Sequence, residues 1–411
     1  MDSQAKIMIL GGGIWGLSTA YHLARAGETD IQVLERNQEP FGETTSQAAG
    51  LVGQIRSTPL MRRATRYAID LFTGFEEQTS YDSGFRQVGS LLLALTHERM
   101  VSYAEHVEHA NNNGVEAHFV DQDEMVRLVP HLDPSYVDGG YFVPGDGYVE
   151  SKQCARALGA AAKDLGVTVR TGMRVTNISV RDDRAVGVET DRGFIGAEKV
   201  VITAGPWSGL LAKTAGYEPA MVPIRHQRLT TGYAPGIPDH HPVVRVTDLS
   251  CYLRPENGGY LHGIFEPDPV VYDLEVWPPY ARTRDVECSA RTIAQAHERL
   301  AAIFPILENL EVVECKRGLT TFAPDGAYLV GPVPKVENLF FATGCASLGI
   351  AGSAAVGRWL ANWVTRGEPG EDLSALDPER FGERGRDKDW IWKESRSFYA
   401  NYYSIPSMAV T

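Results

Sequence analysis

The stretch Lys6–Gly27, KIMILGGGIWGLSTAYHLARAG, decides the fold. Its apolar opening reads as a buried parallel strand, and Leu17, Ala20, Leu23 and Ala24 then recur at helical spacing. Between strand and helix, Gly11, Gly13 and Gly16 form G-x-G-x-x-G. In that pattern Gly11 makes the tight turn, Gly13 lets the backbone approach a pyrophosphate, and Gly16 allows close helix–strand packing. Gly27 ends the helix, and IQVLER (31–36) supplies the second strand of a βαβ unit. Glu35, at the end of that strand, is placed to accept hydrogen bonds from ribose hydroxyls. The helix N-terminus holds phosphates with free N–H groups and its dipole. The reading is a dinucleotide site.

Working outward, GETTSQAAGLVGQIRS (42–57) follows directly and is almost free of side chains large enough to pack. Two later segments return to the same nucleotide. KVVITAGPWS (199–208) is a buried strand ending in Gly205, with Trp207 behind it. ENLFFATGCASLGIAGS (337–353) is a strand, Gly344, and a helix whose start carries Gly349 and Ile350. The alternative for each is an ordinary α/β crossover, the less favoured reading. Together they favour FAD over NAD, because a helix N-terminus at the pyrimidine end of a flavin stabilises the anionic reduced ring.

The remaining segments alternate with these pieces. From about Pro219 to Glu314 the pattern turns to strands and Pro/Gly-rich turns, interrupted by the helix SARTIAQAHERLAAIFP. We expect an α/β (α+β) fold: a discontinuous Rossmann-like FAD-binding domain over 1–85, 146–218 and 316–375, with an inserted strand-rich substrate domain over 86–145 and 219–315. An aromatic tail over 376–411 completes the chain. At 411 residues, two interleaved domains fit better than one core.

Composition excludes several functions. No run approaches the roughly 18 apolar residues of a membrane span. The N-terminus runs straight into a strand, leaving no room for a secretory leader. Five scattered cysteines without CxxC spacing argue against a disulfide framework and a zinc site, so no metal is expected and a cytoplasmic location fits. A net charge of -13 without a basic, aromatic-laced cluster argues against nucleic acid.

These motifs, with PIRHQ (223–227), CYLRPENGGYLHGIFE (251–266) and LTTFAPDGAYLVGPVP (319–334), resemble the D-amino-acid-oxidase-like superfamily of FAD-dependent amine oxidases. The resemblance spans nearly the whole chain and is strongest to the flavin domain of dimethylglycine oxidases and sarcosine dehydrogenases. It implies that the 42–57 loop passes over the flavin, with Thr45 and Ser46 donating to phosphate and Ala49, Gly50 and Leu51 along the ring. Cofactor contacts are further expected from Ile14, Trp15, Arg36, Thr44, Val175, Ala204, Gly318 and Leu348. Relatives commonly carry, where Gln47 stands, a histidine that bonds covalently to the flavin. An amide nitrogen is no such nucleophile, so FAD is expected to be held non-covalently. Cys315, as a counterpart of the cysteine that attaches flavin in monomeric sarcosine oxidases, stands three residues early relative to Asp325.

Catalytic expectations follow the same resemblance. His226 matches a catalytic histidine, and oxidising an amine calls for a group that accepts or relays its proton with a pKa near neutrality. Cys251 replaces the family's functional tyrosine, leaving Tyr252 or Tyr260 to supply the hydroxyl. A substrate carboxylate would take a bidentate guanidinium from among Arg56, Arg225, Arg228, Arg254 and Arg317, with Arg56 preferred because it follows the flavin loop. A loop histidine, a buried tyrosine with a partner and a packing arginine are the plainer readings of these residues. His240 and His241 read as solvated.

The tail, DLSALDPERFGERGRDKDWIWKESRSFYANYYSIPS, resembles a linker to a folate-binding half, and its aromatics are expected to pack on the body. The expected activity is oxidation of a secondary or tertiary amine, N-methylated and carboxylated, to an imine that hydrolyses with release of formaldehyde. Electrons would pass to oxygen or an electron-transfer protein. Two rivals stand beside it: a flavin dehydrogenase of a hydroxy acid, and a flavin-binding electron-transfer subunit.

Overall fold

The computed structural model describes residues 4–404. Strand Gln4–Leu10 pairs in parallel with Ile31–Leu34 on one side and Gly193–Ile202 on the other, and Thr168–Arg170 and Leu339–Thr343 extend the parallel set. The hairpin Val175–Arg181/Arg184–Thr190 and strand Leu329–Pro332 add antiparallel margins. Helices Ile14–Arg25, Ser151–Asp164 and Ser353–Arg366 cover this sheet, sharing one apolar core with Ile7, Ile9, Val33 and Val201. A Cβ on Gly16 would lie 2.0 Å from the carbonyl oxygen of Gly11, so the first helix can sit this low on its strand only without a side chain there.

The second sheet has eight strands. In spatial order they are Val312–Phe322, Val222–Thr231, Gly259–Ile264, Cys251–Glu256, Val243–Val246, Ser90–Ala94, Gly139–Val143 and His118–Val120. Helix Ala290–Ala301 and the loops around Phe304 close one face as a core with Leu91, Val244, Leu253 and Tyr260. The other face looks toward the first sheet. The expected boundary at residue 316 falls inside a strand: Val312–Phe322 pairs with Val222–Thr231 from Val222↔Phe322 to Thr231↔Val312. The chain therefore leaves the second sheet only after Phe322. Leu51–Val52, Gly147–Val149 and Phe85–Arg86 form a small third sheet.

The tail aromatics do pack on the body. Helix Lys388–Ala400 buries Ile391 and Tyr399 against Val222, Ile224, Phe265 and Phe322. Two other expectations need correcting. Cys288 and Cys315 are paired as a disulfide, leaving Cys154, Cys251 and Cys345 free; a lone pair 27 residues apart carries no spacing signal. His241 is buried rather than solvated, its Nδ1 on the Pro242 carbonyl and its ring edge-on to Tyr260 at 5.4 Å. Among the described residues no helix is long and apolar enough to cross a membrane and no cluster could hold a metal.

Candidate active site

A continuous cavity of about 820 Å³ runs between the two large sheets. That is near the top of the roughly 300–1,000 Å³ usual for small-molecule and cofactor sites. Its two ends are built differently.

One end is mostly backbone and small side chains. Gly11, Gly13, Ile14, Trp15, Glu35, Arg36, Thr44, Thr45, Val175, Ala204, Gly205 and Trp207 all line it. Glu35 accepts from the amides of Gly12 (2.9 Å) and Asn37 (2.8 Å), which fixes the turn, and burial pushes its carboxyl above the ordinary range. Arg36 lies 3.6 Å over the Trp207 ring and pairs with Glu43 at 3.1 Å. Thr45 Oγ1 accepts from the amide of Ile14, at the first turn of the glycine-loop helix.

The middle is walled by Gln47, Ala49, Gly50, Leu51, Gly318, Ser347, Leu348, Gly349 and Ile350. Gly318 faces Gln47 so closely that a Cβ on it would lie 2.7 Å from Gln47 Oε1. Gln47 donates from Nε2 to Thr283 Oγ1 at 2.7 Å. Two buried polar atoms on this wall, Gln47 Oε1 and Ser347 Oγ, have no partner among the described residues. The helix Ser353–Arg366 starts later than expected, with Gly349 and Ile350 in the turn before it. Three other expected contacts lie off the wall: Gly16 is spent on helix packing, Ser46 Oγ turns back to the Glu43 carbonyl, and Gly344 sits behind Thr343.

The far end is side-chain chemistry, and strand alternation chooses the residues. Side chains of paired positions, and of positions two apart, share one face of a sheet. Register pairs Tyr141 with Leu92, Leu92 with Arg245, Arg245 with Tyr252, Tyr252 with Gly263 and Gly263 with Arg228. His226, two residues from Arg228, stands on the same face opposite Gly318. His226 Nε2 meets the Tyr252 hydroxyl at 2.9 Å, and Nδ1 meets the Tyr399 hydroxyl at 2.7 Å. Burial, then the nearby Arg228 charge, pulls the His226 pKa down to about 4, which corrects the expected near-neutral value. Burial raises the Tyr252 phenol above its ordinary range, so the pair is neutral at neutral pH.

Tyr260 is corrected as well. It pairs with Pro255, an odd number of positions from Tyr252, and so points through the opposite face. There its hydroxyl meets His131 Nδ1 at 2.7 Å, away from the cavity. Cys251 shares that opposite face, paired with Ile264 and Val246, so Tyr252 is the hydroxyl presented to the cavity.

The arginines sort by their partners. Arg225 is held by Glu266 (2.7 Å), Arg228 by the Gln47 carbonyl (2.8 Å), Arg254 by Glu256 (2.7 Å) and the Ala49 carbonyl (2.8 Å), and Arg317 by the carbonyls of Val286 and Arg284. Arg56 lines the cavity, bonded from Nε to Thr65 Oγ1 at 3.3 Å, with Nη2 buried and without a partner among the described residues. Arg245 stands on the same wall, on Ser90 Oγ at 3.0 Å and 3.9 Å from Asp146. Sequence reading missed Arg245, Tyr399, Tyr402 and Tyr403. The signal for Arg245 was a lone cation in the apolar strand PVVRV, whereas the tail residues carried none.

A parallel nucleotide-binding sheet, a second sheet roofing its cavity and two returns of the chain to that cavity define a flavin-dependent oxidoreductase architecture. The comparisons with known proteins agree. The chain belongs to the DAO family of FAD dependent oxidoreductases, which matches residues 6–363. It is 31% identical over 98% of its length to 49% of a 4-methylaminobutanoate oxidase (formaldehyde-forming) of Paenarthrobacter nicotinovorans. It is also 31% identical over 92% of its length to 45% of the mitochondrial dimethylglycine dehydrogenase of Rattus norvegicus. The chain thus spans about half the length of these curated relatives. Its fold is that of the L-proline dehydrogenase of P. horikoshii, at TM-score 0.84 and 24% identity over 94% of this chain and 99% of that one.

The residues present fit FAD. A backbone-lined, glycine-rich end with an acid behind its first helix suits a dinucleotide, and the orphaned Gln47 Oε1 and Ser347 Oγ offer polar partners to a heterocycle on the middle wall.

Proposed function

We propose that this chain oxidises a secondary or tertiary amine bearing a carboxylate, of the N-methylated amino-acid type, to an imine or iminium that water hydrolyses. The observation that carries this reading is Arg56. Among the described residues, it alone of the five expected arginines leaves a buried guanidinium nitrogen unpaired, in the same cavity as the His226–Tyr252 pair. Arg56 is half-buried and its Nε is engaged, but a buried guanidinium nitrogen without a partner is costly, and a substrate carboxylate is the partner that relieves it. FAD, when bound, supplies the two-electron chemistry that takes a hydride from the carbon next to nitrogen. Its non-covalent retention is supported by Gln47, whose amide nitrogen is engaged with Thr283.

The chain's own residues set the amine's protonation state. A neutral imidazole, two neutral phenols and the cations Arg56 and Arg245 disfavour an ammonium. The carboxylate at this end, Asp146, is set against Arg245. The amine is therefore taken up as its free base, with the lone pair available. His226, uncharged from about pH 5 upward, orients the Tyr252 hydroxyl rather than acting as a strong base.

Anaerobic bleaching of the flavin tests this reading. N-methyl amino acids are expected to bleach it and hydroxy acids to leave it yellow; bleaching by hydroxy acids alone overturns it. Acid precipitation is expected to release the flavin to the supernatant. Reoxidation by oxygen against an artificial acceptor tells which acceptor class the reduced protein uses.

A further inference from the structure

The C-terminal segment reaches further into the site than a packing tail requires. Tyr399, fully buried at the end of helix Lys388–Ala400, places its hydroxyl 2.7 Å from His226 Nδ1. Three residues on, Tyr402 stacks on Phe265 at 4.0 Å with the planes 6° apart, and Tyr403 meets the same ring edge-on at 5.1 Å. Phe265 in turn lies 4.8 Å from the His226 ring. Tyr402 and Tyr403 line the cavity at the end that holds Arg56, Arg245 and Tyr252. The segment is fastened from outside: Arg99 donates to the Tyr403 carbonyl at 3.0 Å while its Nε is fixed on Asp248 at 2.8 Å.

A neutral imidazole with a phenol on each nitrogen donates to one and accepts from the other, so Tyr399 and Tyr252 together fix its tautomer and ring plane. The two following rings offer flat, rigid apolar faces with polar tips beside a cationic carboxylate site. We propose that Tyr399 is a positioning residue for His226, and that Tyr402 and Tyr403 form the wall against which the substituents on the substrate nitrogen pack and are selected by size. This rests on the amine-oxidation reading above.

The test uses the flavin-loaded full chain. Tyr399→Phe is expected to slow anaerobic flavin reduction by N-methylglycine about 10-fold, the worth of one hydrogen bond, with KM changed less than about 2-fold and flavin content retained. Tyr402→Leu, which keeps an apolar contact with Phe265 should Tyr402→Ala fail to fold, is expected to shift the ratio of kcat/KM for N-benzylglycine over N-methylglycine about 10-fold upward. The same variant is expected to weaken calorimetric binding of methylthioacetate, in which sulfur replaces the amine, by about 10-fold. An unchanged ratio and unchanged binding in Tyr402→Leu overturn the wall. Parallel loss of kcat and KM in Tyr399→Phe overturns the positioning role. Should no amine reduce the wild-type flavin while methylthioacetate still binds, the function reading fails and the binding arm alone decides the wall. No binding to the wild-type chain overturns both.

Discussion

The two ends of the cavity are made of different materials. The nucleotide end is formed chiefly by short runs close together in the chain, between Gly11 and Thr45, joined by Val175, Ala204, Gly205 and Trp207, whose amides and small side chains face one space. The far end gathers Arg56, Tyr141, His226, Arg245, Tyr252 and Tyr402 from segments far apart in the chain. Local geometry makes the first and sheet register makes the second. Perturbing the first should therefore remove the cofactor and the fold together, whereas perturbing the second should leave a yellow protein with altered chemistry.

The largest effect is expected at Gly16→Ala. The new Cβ would lie 2.0 Å from the Gly11 carbonyl oxygen, a backbone atom that cannot yield without lifting the helix off its strand. Overpacking of this kind costs more than about 3 kcal/mol at the tight end of its range. The variant is expected colourless and thermally labile, read by absorbance and calorimetry; a yellow protein of wild-type Tm would break the contrast from the nucleotide side.

Next is Arg56→Ala. If Arg56 meets the carboxylate as proposed, losing its guanidinium is expected to lower kcat/KM by roughly 10²–10³-fold, about 3–4 kcal/mol of transition-state binding, with flavin content unchanged. Arg225→Ala behaves oppositely. It strands the buried Glu266 carboxylate and is expected to cost stability, on the order of 3 kcal/mol, visible in denaturant titration. Similar losses of stability in both variants would mean that Arg56 is structural.

Acid should weaken the fold more gradually. Burial is the leading cause that pulls His22, His226 and His241 down to about 4 and His262 to about 3. Each binds a proton in the unfolded chain below pH 6.5 but not in the folded one until its lowered pKa is reached. The stability they contribute is therefore complete above 6.5 and falls as pH drops from there to about 4, or about 3 for His262, by about 1.4 kcal/mol per pH unit for each histidine. Urea midpoints measured across that window check the slope. Substrate turnover should show no inflection near 6.5, because His226 is already neutral there.

What was legible follows the same division. The glycine loop, Glu35 and the two returning segments were readable because each signal lies within a few consecutive residues. Arg56 was readable as the cation that follows the flavin loop, but its freedom was visible only once the partners of Arg225, Arg228, Arg254 and Arg317 were in place. The pairing of Tyr399 with His226 joins positions 173 residues apart through a helix packed on a strand, and no local pattern encodes it. Desolvation was hidden for the same reason: the low pKa of His226 comes from what covers it, not from its neighbours in sequence.

The choice between Tyr252 and Tyr260 could have been made from sequence, and it gives the smallest of these effects. Asn257 and Gly258, both with positive φ (51° and 77°), form a two-residue hairpin turn, the conformation that an Asn-Gly pair favours. That turn pairs Glu256 with Gly259, and counting outward pairs Pro255 with Tyr260 and Tyr252 with Gly263. Positions an odd number apart on a strand face opposite ways, so only one tyrosine can share a face with His226. Tyr252→Phe is expected to slow flavin reduction about 10-fold, since it removes the hydroxyl on His226 Nε2. Tyr260→Phe is expected to leave reduction within about 2-fold of wild type, losing about 1 kcal/mol of stability from its bond to His131. Equal slowing by both variants would mean that the eight-stranded sheet passes its hydrogen-bond geometry from one face to the other, and the division between a sequence-local end and a register-built end would no longer hold.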